Sequence, residues 1–208
     1  MNNGSSSLSC ISVKQETHRF FLKGVLVSKV PQHYQILYSK EQIDERIQAL
    51  GKEIDSWIDT TSPSGSRDVL ALPVMRGGLY FFADLSRAME NSLEVNPVQS
   101  WAYNGEENTA LPTGVTVRFS DLPVKGRRVL VIDDICDSGR TLKTIHEDLT
   151  ARGAAEVQVV VLVRRAVGEP SFSPQWCGFE YDGPEWFVGY GMDDGSRWRN
   201  LPEIYLVN

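Results

Sequence analysis

The sequence predicts an α/β protein with a mostly parallel, twisted sheet flanked by helices. Three short and predominantly apolar segments support this prediction, namely VLALPV (69–74), VLVI (129–132) and VQVVVLV (157–163). Segments with helical periodicity separate them, and such alternation is typical of parallel sheets that are covered on both faces. With 208 residues, 41% of them hydrophobic, the chain is long enough to bury one sizeable core.

The first helix is predicted over residues 40 to about 58. Ser39 and Gln42 form a capping box, a pair in which each side chain accepts a hydrogen bond from the other residue's backbone N–H. Apolar residues then recur with the spacing of one helix face, at Ile43, Ile47, Leu50, Ile54 and Trp57. The segment is therefore predicted as an amphipathic helix.

Two strand-and-helix units follow. Strand 69–74 leads through the loop MRGG into the apolar segment 79–89, which is predicted as a helix packed on the sheet. Strand 129–132 precedes another helix, whose apolar face and C-terminal stop are Leu142, Ile145, Leu149 and Gly153. Between the units, the strand-like segments 98–103 and 115–119 flank the polar run NGEENTALPTG, which is expected to be a mobile hairpin or lid.

Composition and charge argue against several classes of function. The net charge of −6 and the pI near 5.1 do not suit a general nucleic-acid binder, because affinity for polyanions depends on clustered Lys and Arg. No apolar run reaches the roughly 20 residues that span a bilayer. The start MNNGSSSLSC lacks the pattern of a signal peptide, so we expect a cytoplasmic protein without membrane contacts. Cys10, Cys136 and Cys177 form no CxxC pair, which predicts neither a disulfide framework nor a zinc site.

The segment VLVIDDICDSGRTL (129–142) carries the strongest functional signal. Its DSGRT part places a glycine-containing turn at the start of a helix, where unpaired backbone N–H groups and the helix dipole favour an anion. Ser138 and Thr141 add hydroxyl donors. The turn therefore predicts a cradle for a monophosphate. Because no GxxxxGK[ST] sequence is present, a Walker-type triphosphate site is not expected.

Asp133 and Asp134 precede that turn and are poor partners for a phosphate. Carboxylates accept hydrogen bonds from sugar hydroxyls and coordinate Mg²⁺, so acids beside a phosphate cradle describe a site for a ribose 5-phosphate. Two alternatives stay open on these residues alone. The acids can be solvated strand ends beside a simple helix cap. They can also form the Mg²⁺ and phosphorylation site of a receiver domain, although a receiver does not explain the Ser-Gly-x-Thr that follows.

The run VLVIDDICDSGRT resembles the phosphoribosyl-pyrophosphate signature of the type I phosphoribosyltransferases at every position. VLALPVMRGGLYFFADL resembles that family's first strand, pyrophosphate loop and helix, and CGFEYDGPEWFVGYGMDDGSRWRNLPEI is similar to the closing segment of its hypoxanthine-guanine branch. Residues 36–208 are accordingly predicted as a phosphoribosyltransferase domain with a small hood formed by the termini. Residues 1–35, which carry no such resemblance, are predicted as a partly disordered or peripheral extension.

The resemblance implies how the acidic turn would hold the sugar. Asp133 and Asp134 would bind the ribose 2- and 3-hydroxyls, directly or through Mg²⁺. In the family, the acid at the position of Asp137 faces N7 of the purine and acts as general base, a role that suits an aspartate beside a ring N–H. Its alternative role is only to cap the turn. The residues that would hold the 5-phosphate are Asp137, Ser138, Gly139, Arg140 and Thr141.

For pyrophosphate, the resemblance implies a loop of backbone N–H groups at Met75, Arg76 and Gly77, in which a non-proline cis peptide bond is common. Arg76 stands where Lys is frequent. Arg199 matches a second pyrophosphate ligand, and Asp193 matches a carboxylate that binds a second Mg²⁺. Without the resemblance, the RWR run would be interpreted as a surface patch.

For the purine, Trp186 matches an aromatic residue that stacks on the base, and the backbone at Phe187 would meet its exocyclic edge. A tryptophan buried in the core is the alternative. Arg164 stands where the hypoxanthine-guanine enzymes generally have a Lys that donates to the 6-oxo group, a departure that keeps the charge but changes the donor geometry. The lid begins with Ala102 and Tyr103 in place of Ser-Tyr, and Tyr103 is a further expected substrate contact.

The predicted activity is the Mg²⁺-dependent transfer of a 5-phosphoribosyl group from phosphoribosyl pyrophosphate to hypoxanthine or guanine, a reaction of purine salvage. An enzyme that prefers xanthine and a non-catalytic sensor of phosphoribosyl pyrophosphate are the alternatives. The presence of Asp137, Asp193, Arg199 and Trp186 favours the enzyme, because a sensor has little need for a base pocket and a proton acceptor together. The resemblance also implies a homodimer or homotetramer.

Overall fold

A computed structural model describes residues 30–61, 69–101, 116–118, 123–166 and 171–207. The helices are α1 (Lys40–Thr61), α2 (Leu79–Ala88) and α3 (Arg140–Ala151). The strands are β1 (Gln35–Tyr38), β2 (Val69–Met75), β3 (Glu94–Val95), β4 (Val98–Trp101), β5 (Thr116–Arg118), β6 (Arg128–Cys136), β7 (Glu156–Arg165), β8 (Trp176–Tyr181), β9 (Trp186–Val188) and β10 (Ile204–Val207). No helix in these ranges is long and apolar enough to cross a membrane.

The main sheet confirms the predicted fold class. Within the described ranges it has seven strands in the order β5-β4-β2-β6-β7-β8, and β3 pairs with β2. Neighbouring strands are parallel throughout, except for the antiparallel pair of β4 and β5. That pair is the predicted hairpin, although residues 102–115 of the lid, including Ala102 and Tyr103, lie outside the described ranges.

Helices cover both faces of this sheet because successive side chains of a buried strand point to opposite sides. Leu130 and Ile132 of β6 pack in the same cluster as the apolar faces of α1 and α2. Val129 and Val131 of the same strand pack in a second cluster with α3. The predicted capping box is present at the start of α1, where Ser39 N–H donates to Gln42 Oε1 at 2.9 Å and Gln42 N–H donates to Ser39 Oγ at 3.4 Å.

A second, smaller sheet joins the two ends of the described chain. Its strands are in the order β1-β10-β9 and are all antiparallel. We call these three strands and the coil 189–203 the hood. Tyr34, just before β1, packs with Val188, Leu201 and Tyr205 of the hood. The last two residues of the predicted extension thus belong to folded structure, whereas residues 1–29 lie outside the described ranges.

Strand β6 is longer than predicted. The apolar run ends at Ile132, but the strand continues to Cys136 and stays paired with β7, so that Asp133 is opposite Val161 and Cys136 is opposite Arg164. Backbone pairing with a buried neighbour outweighs the polarity of the two aspartates. The acidic pair therefore lies inside the sheet and not in the turn that follows it.

A buried carboxylate joins α1 to the end of α2. Asp55 accepts hydrogen bonds from the backbone N–H of Glu90 at 2.8 Å, from that of Asn91 at 3.1 Å and from Asn91 Nδ2 at 2.9 Å. Its side chain is buried, and the three hydrogen bonds are part-buried, so they satisfy a carboxylate that has little access to water. Asp55 consequently fixes the C-terminal end of the helix whose N-terminal end follows the loop at Arg76 and Gly77.

Asp55→Ala is expected to lower the free energy of unfolding by about 1–3 kcal/mol, because it removes a buried acceptor and leaves part-buried backbone donors without a partner. Asp59→Ala is the matched control on the exposed side of the same helix, since Asp59 accepts from Asn91 Nδ2 at 3.2 Å in an exposed position. That control should change stability by less than about 0.5 kcal/mol. Urea denaturation measures both, and equal losses would contradict the assignment.

Candidate active site

A cleft of about 810 Å³ opens at the carboxyl ends of β2, β6 and β7, where parallel sheets bind ligands. The predicted site residues within the described ranges line it, with the exception of Arg164. Those that line it are Met75, Arg76, Gly77, Asp133, Asp134, Asp137, Ser138, Gly139, Arg140, Thr141, Trp186, Phe187, Asp193 and Arg199. Residues far apart in the chain are thus brought to one surface.

The two adjacent carboxylates are the most buried charges of the cleft. Asp133 is 7% exposed and Asp134 is 8% exposed. Asp133 Oδ1 accepts from the backbone N–H of Asp134, and Asp134 Oδ1 accepts from that of Ile135, each at 3.0 Å. Burial raises the pKa of Asp133 well above its ordinary value, and the neighbouring Asp134 raises it further. Solvated strand ends, the plainer sequence alternative, are therefore excluded.

Asp134 differs from its neighbour because a cation lies near it. Burial raises its pKa as well, but the hydrogen bonds it accepts and the charge of Arg199 act in the opposite direction. On its other side the carboxylate touches Gly77, where an added Cβ would lie 2.1 Å from Asp134 Oδ2. Only glycine fits at this point, so the end of β6 and the loop after β2 are in direct contact.

The loop after β2 has the geometry that the resemblance implied. The peptide bond between Met75 and Arg76 is cis. Arg76 is exposed at the cleft, and Gly77 connects to α2 through Gly78, whose N–H donates to Val74 O at 3.0 Å. The hood lies against this loop, because an added Cβ at Gly191 would be 2.1 Å from Gly77 O.

The predicted phosphate cradle is the N-terminal end of α3. Gly139 is the N-cap residue with a left-handed backbone (φ 75°), and no side chain caps the helix there. The first backbone N–H groups of α3 therefore face the cleft without a side-chain acceptor, as an anion site requires. From behind, Ser138 O accepts from Ser171 N at 3.1 Å and from Ser171 Oγ at 2.6 Å, which fixes the turn.

Asp193 and Arg199 form an ion pair at the hood side of the cleft. Arg199 Nη2 is 2.5 Å from Asp193 Oδ1, and Nη1 donates to Gly191 O. Asp193 Oδ2 also accepts from the backbone N–H of Ser196 at 2.8 Å. The RWR run is therefore not a surface patch, because its second arginine turns inward towards Asp134 and Asp193.

Trp186 is not a core residue, because it is 43% exposed and lines the cleft. Its indole Nε1–H donates to the backbone carbonyl of Asp193 at 2.8 Å, so one edge of the ring is fixed while a face stays accessible. Phe187, the next residue of β9, is buried. A planar ligand could stack on the Trp186 ring.

Arg164 was predicted to reach the purine, but Arg165 and not Arg164 lines the cleft. Arg164 pairs with Glu180 and donates to Ser173 Oγ at 3.2 Å, outside the cleft lining. Arg165 lines the cleft and is 2.8 Å from Asp137 Oδ1 through Nε. Because successive strand residues point to opposite faces, a difference of one residue decides which arginine lines the cleft.

Sequence reasoning missed Arg165 and seven other lining residues. Arg165 is only 13% exposed and donates to the carbonyl oxygens of Gly183 and Glu185, with its guanidinium 4.5 Å from the Phe187 ring centroid. The basic doublet at the end of β7 was the available signal, but it did not say which arginine faces the cleft. The other missed residues are Val74, Gln99, Ile135, Cys136, Leu142, Met192 and Ser196.

The buried aspartate pair suits Mg²⁺ chemically, because a divalent cation would offset the cost of holding two carboxylates away from water. No group of three or more His, Cys, Asp or Glu side chains suited to a metal occurs among the described residues. An ion here would therefore need water or substrate oxygens as further ligands, which is how Mg²⁺ is commonly bound by enzymes that act on phosphates.

Comparison with known proteins identifies the class of enzyme. The model of the phosphoribosyl transferase domain matches residues 39–194. The hypoxanthine-guanine phosphoribosyltransferase of Aquifex aeolicus is 32% identical over 173 residues, or 83% of this chain and 93% of that protein. The enzyme of the same name from Bacillus subtilis is 34% identical over 176 residues, with 83% and 92% covered. A solved hypoxanthine-guanine phosphoribosyltransferase from Bacillus anthracis has a TM-score of 0.71 at 26% identity, with 84% and 98% covered.

The fold and the cleft are those of an enzyme that transfers phosphoribosyl groups. The chain belongs to the phosphoribosyl transferase domain family. The predicted resemblance to this family and to its hypoxanthine-guanine branch is confirmed.

Gly139→Ala is expected to weaken binding of phosphoribosyl pyrophosphate and to destabilise the fold. An added Cβ would lie 2.8 Å from Phe172 N and 2.9 Å from Phe172 O, so the phosphate turn must shift. Gly126→Ala is the matched control, because its φ of 74° is nearly the same and nothing lies within 4 Å of the added Cβ.

The control isolates the cost of the left-handed backbone, which is about 1–2 kcal/mol. Calorimetric titration with phosphoribosyl pyrophosphate and thermal unfolding measure the two effects. Unchanged donor affinity in Gly139→Ala would contradict the assignment of this turn to the phosphate.

Proposed function

We propose that the protein is a purine salvage enzyme that transfers the 5-phosphoribosyl group of phosphoribosyl pyrophosphate to hypoxanthine or guanine. The products are the nucleoside 5-monophosphate and pyrophosphate. The observation that carries the proposal is one cleft that combines a buried aspartate pair, an uncapped helix N-terminus and an accessible tryptophan ring. The names of both relatives reported above support the same reaction.

The sugar phosphate would bind where the acids and the cradle meet. The backbone N–H groups at the start of α3, with the hydroxyls of Ser138 and Thr141, would hold the 5-phosphate. Asp133 and Asp134 would accept hydrogen bonds from the ribose hydroxyls. A ligand with both groups satisfies the donors of the cradle and the buried acceptors at once, which no simple phosphate does.

The pyrophosphate leaving group would lie between the loop Met75–Gly77 and Arg199. Backbone N–H groups of the loop and the guanidinium would stabilise the charge that develops as the C1–O bond breaks. Mg²⁺, when bound through Asp133 and Asp134 or near Asp193, would add electrostatic stabilisation of the same charge. Arg199 is suitably oriented already, because Asp193 and Gly191 O hold two of its nitrogens.

The purine would stack on Trp186, with its 6-oxo group towards Arg165. In this arrangement Arg165 takes the role that the sequence analysis gave to Arg164. A guanidinium only donates hydrogen bonds, so it suits an oxo group and disfavours the 6-amino group of adenine. Asp137 is held 2.8 Å from Arg165 Nε, beside the expected position of the imidazole ring.

The proposed chemistry forms one bond and breaks another at C1 of the ribose. N9 of the purine attacks C1 as the bond from C1 to the pyrophosphate oxygen breaks. Asp137 accepts the proton that the imidazole ring loses, and pyrophosphate leaves with the electron pair of the broken bond. The homodimer or homotetramer implied by the family stays a prediction.

Ultraviolet absorbance of the purified protein with Mg²⁺, phosphoribosyl pyrophosphate and a single base tests the proposal. Hypoxanthine, guanine, xanthine and adenine are compared separately. Turnover is expected with hypoxanthine or guanine and not with adenine. Binding of the donor without turnover of any base would instead favour a sensor, and a strong preference for xanthine would correct the choice of base.

Asp137→Asn is expected to lower kcat by about 10²–10⁴-fold, the usual contribution of a general base. The affinity for phosphoribosyl pyrophosphate should change little, because the amide is nearly isosteric and backbone groups hold the phosphate. Steady-state kinetics and calorimetric titration measure the two quantities. A parallel loss of both would mean that Asp137 serves the turn and not the proton transfer.

Arg165→Gln is expected to lower kcat/KM for hypoxanthine by about 10–100-fold, since one charge-assisted hydrogen bond is worth about 1.5–3 kcal/mol. Arg165→Lys should recover part of the loss, because it restores a cationic donor. Arg164→Gln is the matched control and should leave kcat/KM nearly unchanged. If Arg164→Gln were instead the damaging change, the 6-oxo contact would belong to Arg164.

A further inference from the structure

A tyrosine from the segment without family resemblance reaches the coil that carries Asp193 and Arg199. Tyr34 Oη donates a hydrogen bond to Asp194 Oδ2 at 2.6 Å, across 160 residues of chain. Asp194 follows Asp193 directly in the chain. Among the described residues that line the cleft, neither Tyr34 nor Asp194 is found. The contact therefore acts on the site from outside.

Packing fixes Tyr34 in this position. Its side chain is buried, and its ring lies 6.1 Å from the rings of both Trp198 and Tyr205. A backbone hydrogen bond of 3.0 Å from Tyr34 N–H to Pro31 O closes the turn before β1. Burial, together with Asp194, raises the pKa of Tyr34 to about 12, so the phenol keeps its proton and donates at neutral pH.

The coil between Asp193 and Arg199 has a backbone that needs such support. Gly195, Ser196 and Trp198 all have positive φ angles, of 54°, 66° and 68°. For the two non-glycine residues this conformation is unfavourable unless surrounding contacts hold it. The pairs of backbone hydrogen bonds between Asp194 and Arg197, at 3.0 and 3.2 Å, close a tight turn.

The two sides of this turn have different functions. Asp193 faces the cleft, where it pairs with Arg199 and accepts from Ser196 N–H. Asp194 faces away from it, towards Tyr34. Because one peptide bond joins the two residues, a change in the backbone at Asp194 acts directly on Asp193, whose carboxylate pairs with Arg199.

We propose that Tyr34 is a positioning residue for the pyrophosphate half of the site, acting through Asp194 on Asp193 and Arg199. The inference rests on the proposed function, because it assigns Arg199 to pyrophosphate. It gives a role to the end of the N-terminal extension, for which the sequence offered none. Tyr34 touches no substrate; it keeps the turn in the conformation that presents the ion pair.

Tyr34→Phe removes the hydroxyl and keeps the ring, so it tests the hydrogen bond and not the packing. Tyr205→Phe is the matched control, because Tyr205 belongs to the same buried cluster and donates its hydroxyl to Glu203 at 3.1 Å, away from the turn. Asp194→Asn keeps an oxygen acceptor for the phenol, whereas Asp194→Ala removes it. Thermal unfolding checks that each variant is folded.

The readouts are the dissociation constant of pyrophosphate with Mg²⁺, by calorimetric titration, and the separate KM values for phosphoribosyl pyrophosphate and hypoxanthine. Tyr34→Phe and Asp194→Ala should each weaken pyrophosphate binding by about tenfold, as expected for a hydrogen bond to a carboxylate. In these two variants the KM for phosphoribosyl pyrophosphate should rise in parallel, while the KM for hypoxanthine stays near that of the unmodified protein. The pyrophosphate affinities of Tyr205→Phe and Asp194→Asn should also stay near that of the unmodified protein. The double variant Tyr34→Phe, Asp194→Ala should bind pyrophosphate no more weakly than the single variant with the lower affinity, because both changes remove the same hydrogen bond.

Two results would overturn the inference while leaving the proposed function intact. One is unchanged pyrophosphate affinity in Tyr34→Phe, and the other is an equal loss in Tyr205→Phe, which would indicate general loosening of the hood. Unmodified protein that binds pyrophosphate but turns over no base would defeat the proposed reaction alone, since the calorimetric comparison would still decide the role of Tyr34. Unmodified protein that binds no pyrophosphate would defeat both.

Discussion

Two carboxylates held side by side in the interior of a parallel sheet dominate the organisation of this protein. Asp133 and Asp134 lie in the part of β6 that stays paired with β7 as far as Cys136, and burial makes their charged forms costly. The neighbouring loop, the hood and the cleft all lie against these two carboxylates. Gly77 approaches closely enough to touch Asp134, Arg199 places its charge nearby, and the cleft opens where a ligand could bind both acids.

The main sheet and the hood each contribute residues to the cleft. The main sheet supplies the acids, the phosphate turn and the loop after β2, but Trp186, Asp193 and Arg199 come from the hood. Close contact between Gly191 and Gly77 joins the two units, and the indole of Trp186 bonds the backbone beside the Asp193–Arg199 pair. In the proposed reaction, the base platform and the pyrophosphate ligands would therefore share one supporting coil. Tyr34 would hold that coil from its outer side.

Local patterns were sufficient for much of the structure. The capping box at Ser39, the three buried strands and the stop of α3 at Gly153 are as predicted, because hydrophobic spacing and terminal residues determine them directly. The length of β6 was wrong, because strand pairing extends it through two charged residues. The arginine that lines the cleft also differs from the predicted one. The pairing of β7 with β6 and β8 determines which of two successive side chains points towards the cleft.

The sequence by itself determined the α/β class, the glycine-containing turn at the start of α3 and the family, because a contiguous motif needs only neighbouring residues to be recognised. Tertiary structure alone decided which arginine lines the cleft, how deeply the aspartates are buried and that Tyr34 meets Asp194. Each of these depends on segments far apart in the chain. Burial and contact arise only when the chain is packed. Two side chains of the same type, such as Arg164 and Arg165, therefore differ in their surroundings only in the folded protein.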